Sequence, residues 1–207
     1  MLMDDTLPTL LIPAYQPDEK LLSLLHALRQ TSSQQRIIVV DDGSDHDYAP
    51  IFAKAQNYQI ELLRHTSNQG KGEALKTGFR HWLRIATPDE PGIITADADG
   101  QHAPEDIQHL SAKFSNNPQS LYLGVRQFDQ QPVPWRSRFG NQITRWTLRL
   151  LTKTTWQDTQ TGLRAIPRHL IPDLLSSKTS AYGNALNCEK KEYLYSTNSD
   201  PDHLLRK

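Results

Sequence analysis

Short apolar runs alternate along the chain with segments whose apolar positions recur every three to four residues. Residues 9–12, 36–40, 59–63, 93–96 and 121–125 have strand length. The second of these is β-branched and apolar on both faces, the signature of a strand in a parallel sheet covered by helices. Between the runs, Leu21, Leu24, Leu25 and Leu28 keep a 3.6-residue period, as do Leu75, Phe79 and Trp82, and Ile107, Leu110 and Phe114. Their helices are predicted to open at Pro17-Asp18, after Gly72 and at Pro104. A shorter helix is expected near residues 49–55. A basic amphipathic helix is expected over 138–151, with Phe139, Ile143, Trp146 and Leu150 on one face. Strands alternating with helices predict an α/β domain with a mostly parallel central sheet flanked by helices.

In such sheets ligands collect beyond the carboxyl ends of the strands. Three of the predicted strand ends carry polar turns: Pro13-Ala14-Tyr15, Asp41-Asp42-Gly43-Ser44 and Asp97-Ala98-Asp99. Residues i and i+2 leave a strand on the same side. Asp97 and Asp99 therefore converge on one point, and two hard oxygen donors suit Mg²⁺ or Mn²⁺ held together with substrate phosphates. Asp42 can accept from a ribose or from the N–H edge of a base, and Ser44 or Asp45 can cap the following helix. Tyr15 either stacks on a base or covers the sheet edge. Asn68-Gln69-Gly70-Lys71-Gly72 sets glycines and a cation before a helix N-terminus, where anions are favoured. Arg126, Arg136 and Arg138 are candidates for a phosphate, which guanidinium binds bidentately. His102, directly after the Asp pair, reads more readily as a polar cap than as a third metal ligand.

Charge and composition narrow the classes. With 207 residues there is room for one sizeable core. Lysine plus arginine number 23 and aspartate plus glutamate 23, so no net positive charge argues for nucleic acid. The single cysteine, Cys188, permits no internal disulfide and suits a reducing compartment. No secretory leader and no membrane-length apolar run is apparent, so the expected location is the cytoplasm, with at most a peripheral contact at a membrane surface. The loop before the third helix is not the phosphate-binding loop of P-loop NTPases, and the lack of a Gly-x-Gly-x-x-Gly after the first strand counts against a dinucleotide-binding dehydrogenase. A sugar nucleotidyltransferase is disfavoured because no glycine-rich, Arg-Lys-containing loop follows that strand.

Taken in order, Ile12-Pro13-Ala14-Tyr15, Val39-Val40-Asp41-Asp42-Gly43-Ser44, Asn68-Gln69-Gly70-Lys71-Gly72, Ala96-Asp97-Ala98-Asp99-Gly100-Gln101-His102 and Gly124-Val125-Arg126 resemble the family 2 glycosyltransferases of GT-A fold. The resemblance covers roughly residues 8–167. Asp99-Gly100-Gln101-His102 and Asp158-Thr159-Gln160-Thr161-Gly162-Leu163-Arg164 make it most similar to the polyprenyl- or dolichyl-phosphate mannosyl- and glucosyltransferases. It implies that Pro13, Ala14, Tyr15 and Asp42 hold the nucleotide of a UDP- or GDP-hexose, with Lys71 near its base or phosphates. It implies that Asp97 and Asp99 bind the divalent metal, with Gln101 close by. Arg126 and Arg138, joined by Arg136 and Asn141, would hold the acceptor's phosphate, and Asp158 and Arg164 would shape the acceptor and sugar pocket. A lipid-phosphate acceptor needs no strong general base, whereas a saccharide acceptor would need one, with Asp158 the candidate. One-step displacement implies inversion. A non-catalytic nucleotide-sugar-binding remnant is the third reading.

That last reading arises from the C-terminus. The glycosyltransferase domain is expected over residues 1–170. Residues 171–207 depart from the resemblance: beyond Ala185 the chain is polar and aperiodic, which reads as a disordered, truncated or frame-shifted tail.

Overall fold

The computed structural model describes residues 7–32, 34–126, 162–176 and 191–196, with backbone alone for 124–126 and 191–196. Its frame is a seven-stranded sheet built from β1 (Thr9–Ala14), β2 (Ile37–Asp41), β3 (Glu61–Arg64), β4 (Gly92–Thr95), β5 (Leu121–Arg126), β6 (Arg164–Pro167) and β7 (Lys191–Ser196). The spatial order is β3-β2-β1-β4-β6-β5-β7. β3, β2, β1 and β4 are mutually parallel. β6 runs antiparallel to both β4 and β5, and β7 lies parallel to β5.

Every residue of β1, β2 and β4 is buried, as their both-face apolar patterns require. Alternate side chains enter two cores. Leu10, Ile12, Val39 and Ile94 pack with α1 (Glu19–Thr31), α2 (Ala49–Gln56) and α4 (Pro104–Asn116) on one face. Leu11, Ile38, Val40 and Ile93 pack against Ala74, Phe79 and Trp82 of α3 (Lys71–Ile85) on the other. The predicted leucine stripe of α1 is buried at Leu21, Leu24, Leu25 and Leu28, each side chain contributing about 1.5–3 kcal/mol. Asp18 caps α1 by accepting from Lys20 N at 2.9 Å.

A polar cluster sits at the amino end of the sheet, remote from the Asp pair. Trp82 Nε1 donates to Thr9 Oγ1 and Glu90 Oε2, both at 3.0 Å, and Thr9 Oγ1 donates to Glu90 Oε2 at 2.9 Å. Arg36 and the Thr87 amide satisfy the other carboxylate oxygen of Glu90.

Two stretches of the expected tail are part of the fold. Ile171 is buried, and α5 (Ile171–Ser176) packs against α3 with Leu174 and Leu175 on the second core. Lys191–Ser196, which read as polar and aperiodic, adds the outermost strand by pairing with β5 from Leu121↔Lys191 to Arg126↔Ser196. An edge strand has one neighbour and need not carry the uniform apolar signature of a central one. Neither β6 nor β7 was among the strands expected from the pattern.

Candidate functional site

The carboxyl ends of β1, β2 and β4 lie side by side, and the polar turns that follow them form one edge. The Asp42 amide donates to Ala14 O at 2.8 Å, joining the first two turns. Pro13 and Ala14 are buried within β1, so Tyr15 is the first residue at the edge to present a side chain. It is 47 % exposed, the one large hydrophobic side chain so placed among the described residues. Gln16 anchors this turn: its amide donates to Ser44 Oγ at 2.8 Å, and its side chain bridges Tyr15 Oη and Asp45.

The two aspartates of the second turn have different partners. Asp41 Oδ1 accepts from the Ser44 amide at 2.8 Å, and Oδ2 meets Arg64 Nε at 2.8 Å, so this carboxylate closes the turn and ties β2 to β3. Asp42 Oδ1 accepts from Gln69 N at 3.0 Å and lies 2.7 Å from His65 Nδ1. Gly43 adopts φ +71, and a Cβ there would run into the backbone of Ser67 and Asn68. Glycine at 43 is what lets the 68–72 loop lie against the acidic turn. Neither Ser44 nor Asp45 gives a side-chain cap to the 3₁₀ turn His46–Tyr48 that follows.

Asp97 is the centre of the third turn. Lys71 Nζ donates to its Oδ1, which places the loop lysine on the Asp pair itself. α3 starts there with no side-chain cap, and the Glu73 and Ala74 amides donate to Gly70 O. His102 is buried, with Nε2 4.0 Å from Asp97 Oδ2. The N-cap position of α4 belongs to Ala103, which carries no capping side chain. Asp99 is exposed, and its Oδ1 accepts from Gln101 N at 3.0 Å.

β6 completes this surround. Arg164 opens the strand, opposite Thr95 of β4. Its guanidinium is lowered to about 10, chiefly by desolvation, while the charge of Asp97 acts in the opposite direction. Gly162, two residues earlier, accepts from Thr95 Oγ1 at 2.8 Å through its carbonyl, and the side-chain position at 162 is filled by the Asp97 carboxylate. Any side chain at 162 would occupy the space of that carboxylate.

Among the described residues no three His, Cys, Asp or Glu side chains cluster as a self-sufficient metal cage. Asp97 and Asp99 are two carboxylates in the turn beyond Thr95, Asp97 partly exposed and Asp99 exposed, and the donors that they offer are oxygens. That chemistry fits a hard divalent ion sharing its coordination with a diphosphate, and does not fit a structural zinc site.

Contacts link Asp42 to Gln69 in the loop before Lys71, Lys71 to Asp97, and Arg164 to the charge of Asp97; Tyr15 stands in the turn after β1, and Asp99 and Gln101 follow Asp97 in the turn after β4. Arg126 ends β5 on the same edge of the sheet. Arg136, Arg138, Asn141 and Asp158 lie outside the described residues, as do Cys188 and the expected helix over 138–151. Sequence reasoning passed over two residues, His65 and Gly162. His65 was legible as a fourth polar residue at a strand end, directly after β3, and Gly162 stood within a quoted motif without a role. Among the described residues no helix is long and apolar enough to cross a membrane.

Residues 9–171 match the family model described as Glycosyl transferase family 2. The UDP-N-acetylglucosamine–dolichyl-phosphate N-acetylglucosaminyltransferase of Methanococcus voltae is 27 % identical, with 93 % of this chain and 83 % of the relative covered. The undecaprenyl-phosphate 4-deoxy-4-formamido-L-arabinose transferase of Klebsiella pneumoniae is 31 % identical over 81 % of this chain and 51 % of its own length. Among solved structures, the mannosyltransferase PcManGT of Pyrobaculum calidifontis, in complex with GDP-Man and Mn²⁺, superposes with a TM-score of 0.52. Its identity is 20 %, over 84 % of this chain and 48 % of that one, a likeness of fold.

Proposed function

The chain belongs to glycosyl transferase family 2 and is a glycosyltransferase of GT-A fold, and from that premise we propose that it moves a hexose from a nucleoside-diphosphate sugar to a polyprenyl phosphate, with inversion. Two of its relatives bear names that specify dolichyl- or undecaprenyl-phosphate, which supports the acceptor class. The observation that carries the donor half is the convergence of Tyr15, Asp42, Lys71 and Asp97 on one sheet edge.

In this reading the nucleoside lies between Tyr15 and Asp42, and the diphosphate lies over the start of α3. Asp97 and Asp99 would hold Mg²⁺ or Mn²⁺, with Gln101 close by. When bound, such an ion neutralises charge on the departing nucleoside diphosphate. Lys71 stands on Asp97, placed to take up part of the same charge. Arg164 faces Asp97 from β6 and borders the sugar.

Arg126 and Arg138, with Arg136 and Asn141, are assigned to the acceptor phosphate, and Asp158 to the sugar pocket. A phosphate monoester, with a second pKa of about 6, is already a dianion near neutral pH. Its oxygen attacks the anomeric carbon as the diphosphate oxygen leaves on the opposite face. Positioning by arginine then replaces deprotonation by a base. The reaction takes place at a membrane surface, where a polyprenyl chain resides.

The test is thermal unfolding with UDP or GDP, with and without Mn²⁺, on the wild type and Asp99→Asn. A nucleotide at a hundred times its dissociation constant adds about 2.7 kcal/mol, or roughly 5–10 °C in a chain of this size. A Mn²⁺-dependent shift for one nucleotide, lost in Asp99→Asn, supports the donor site and names its base. No shift with either nucleotide refutes it. Transfer of labelled sugar to undecaprenyl phosphate in detergent then tests the acceptor.

A further inference from the structure

His65 is the first residue beyond β3, and its amide donates to Asp41 O at 2.9 Å. Its side chain is nearly buried, 8 % exposed, beside an Asp42 side chain only 3 % exposed. The ring spans two elements. Nδ1 lies 2.7 Å from Asp42 Oδ1, and Nε2 lies 2.9 Å from Thr77 Oγ1 on α3. In the neutral ring, Nδ1–H donates to the carboxylate and Nε2 accepts from the threonine hydroxyl, which satisfies all three groups.

Asp42 Oδ1 takes a second hydrogen bond, from the Gln69 amide. Among the described residues no hydrogen bond goes to Oδ2. An almost buried carboxylate thus has one oxygen fully engaged and the other left for a ligand. Two donors from different directions remove its rotational freedom, so the second oxygen points one way before any ligand arrives.

We propose that His65 is the positioning residue of the donor's nucleoside site. With Gln69 N it fixes Asp42 Oδ1, and this aims Oδ2 at a ribose hydroxyl or the N–H edge of the base. The inference rests on the assignment of Asp42 to the nucleoside. It adds a mechanical link: α3 holds His65 through Thr77 and also carries Lys71, which reaches Asp97. One helix sets the nucleoside end and the phosphate end of the donor site together.

The test is calorimetric titration with UDP, GDP and inorganic pyrophosphate, each with Mn²⁺. The proteins are the wild type, His65→Ala, His65→Asn, Asp42→Ala and the Asp42→Ala/His65→Ala double variant. His65→Ala is expected to weaken the preferred nucleotide by about tenfold, the worth of one charge-assisted hydrogen bond. Pyrophosphate binding stays unchanged, because Asp42 does not touch it. His65→Asn, whose amide nitrogen takes the place of Nδ1, restores most of the affinity. In the Asp42→Ala background, loss of His65 costs nothing more, since the two act as one unit.

Equal binding by His65→Ala and wild type overturns the inference. So does an equal loss for pyrophosphate, or an undiminished loss in the Asp42→Ala background; these mark a residue that supports only the fold. Should His65→Ala fail to fold, the comparison moves to His65→Asn against His65→Gln. Glutamine places its amide nearer the Nε2 position, so it is expected to bind the nucleotide worse than asparagine, and parity between them refutes the idea. A wild type that binds pyrophosphate but neither nucleotide removes the nucleoside site itself, and the role of His65 with it.

Discussion

Gly162→Ala isolates the demand that the third turn makes on β6. A single methyl group at 162 would fall within contact distance of Asp97 Oδ1, Cγ and Oδ2. An ordinary carbon–oxygen approach is about 3.3 Å or more, so the carboxylate must retreat by about 1 Å. Rotation of the Asp97 side chain to make that room takes it off Lys71 Nζ. The Lys71–Asp97 pair is partly exposed, at 30 % and 22 %, and losing it costs about 1 kcal/mol or less. Alanine also restricts the unfolded chain slightly. The midpoint of thermal unfolding should therefore fall by no more than about 4 °C.

Function should respond far more, because the displaced group is a proposed metal ligand. A misplacement of about 1 Å can cost about a hundredfold in rate. The assay is Mn²⁺-dependent nucleotide binding by calorimetry, followed by sugar transfer with the donor so identified. The expected variant is folded, at least tenfold weaker in Mn²⁺-dependent binding and about a hundredfold slower. A folded Gly162→Ala protein that binds and turns over within threefold of the wild type would refute the placement of Asp97 at the reacting centre.

Two further substitutions test the remainder of the architecture. Tyr15→Ala should leave the unfolding midpoint almost unchanged, because the ring is half-exposed, yet weaken the bound nucleotide by roughly tenfold through lost stacking, with Tyr15→Phe restoring it; equal affinity in Tyr15→Ala and wild type discards the stacking role. Trp82→Phe removes the Nε1–H donor shared by Thr9 and the buried Glu90 carboxylate, and should cost about 2 kcal/mol, seen as a midpoint lower by roughly 4–8 °C in thermal unfolding, with Mn²⁺-dependent nucleotide affinity retained because this cluster lies at the opposite end of the sheet.

Much of the scaffold could be read locally. β1, β2 and β4 are uniformly buried, so their apolar runs announced them. α1 and α4 showed their periods and, in Asp18 and Pro104, their starts. The Asp pair, the acidic turn and the Gly-Lys-Gly loop were each visible as polar punctuation after or between those runs. Their shared edge followed from the rule that parallel strands present their carboxyl ends together.

Other relations were not local. β6 is four residues long and carries Arg164, which blunts its apolar signal. Its place between β4 and β5 comes from pairing across 67 residues, as the Thr95–Gly162 hydrogen bond records. That pairing alone sets Gly162 and Arg164 against Asp97. β7, an edge strand with a charged start, is defined by its partner β5 and not by its own pattern. Nor does any spacing along the chain separate Asp41 from Asp42: one closes its turn on Ser44 and pairs with Arg64, while the other is held by His65 and Gln69. Propensity and period act over a few residues, and they specified the elements and the kinds of group at their ends. Which of those groups meet is settled by sheet order and packing, whose contacts join residues far apart in sequence, and so only the tertiary structure decided it.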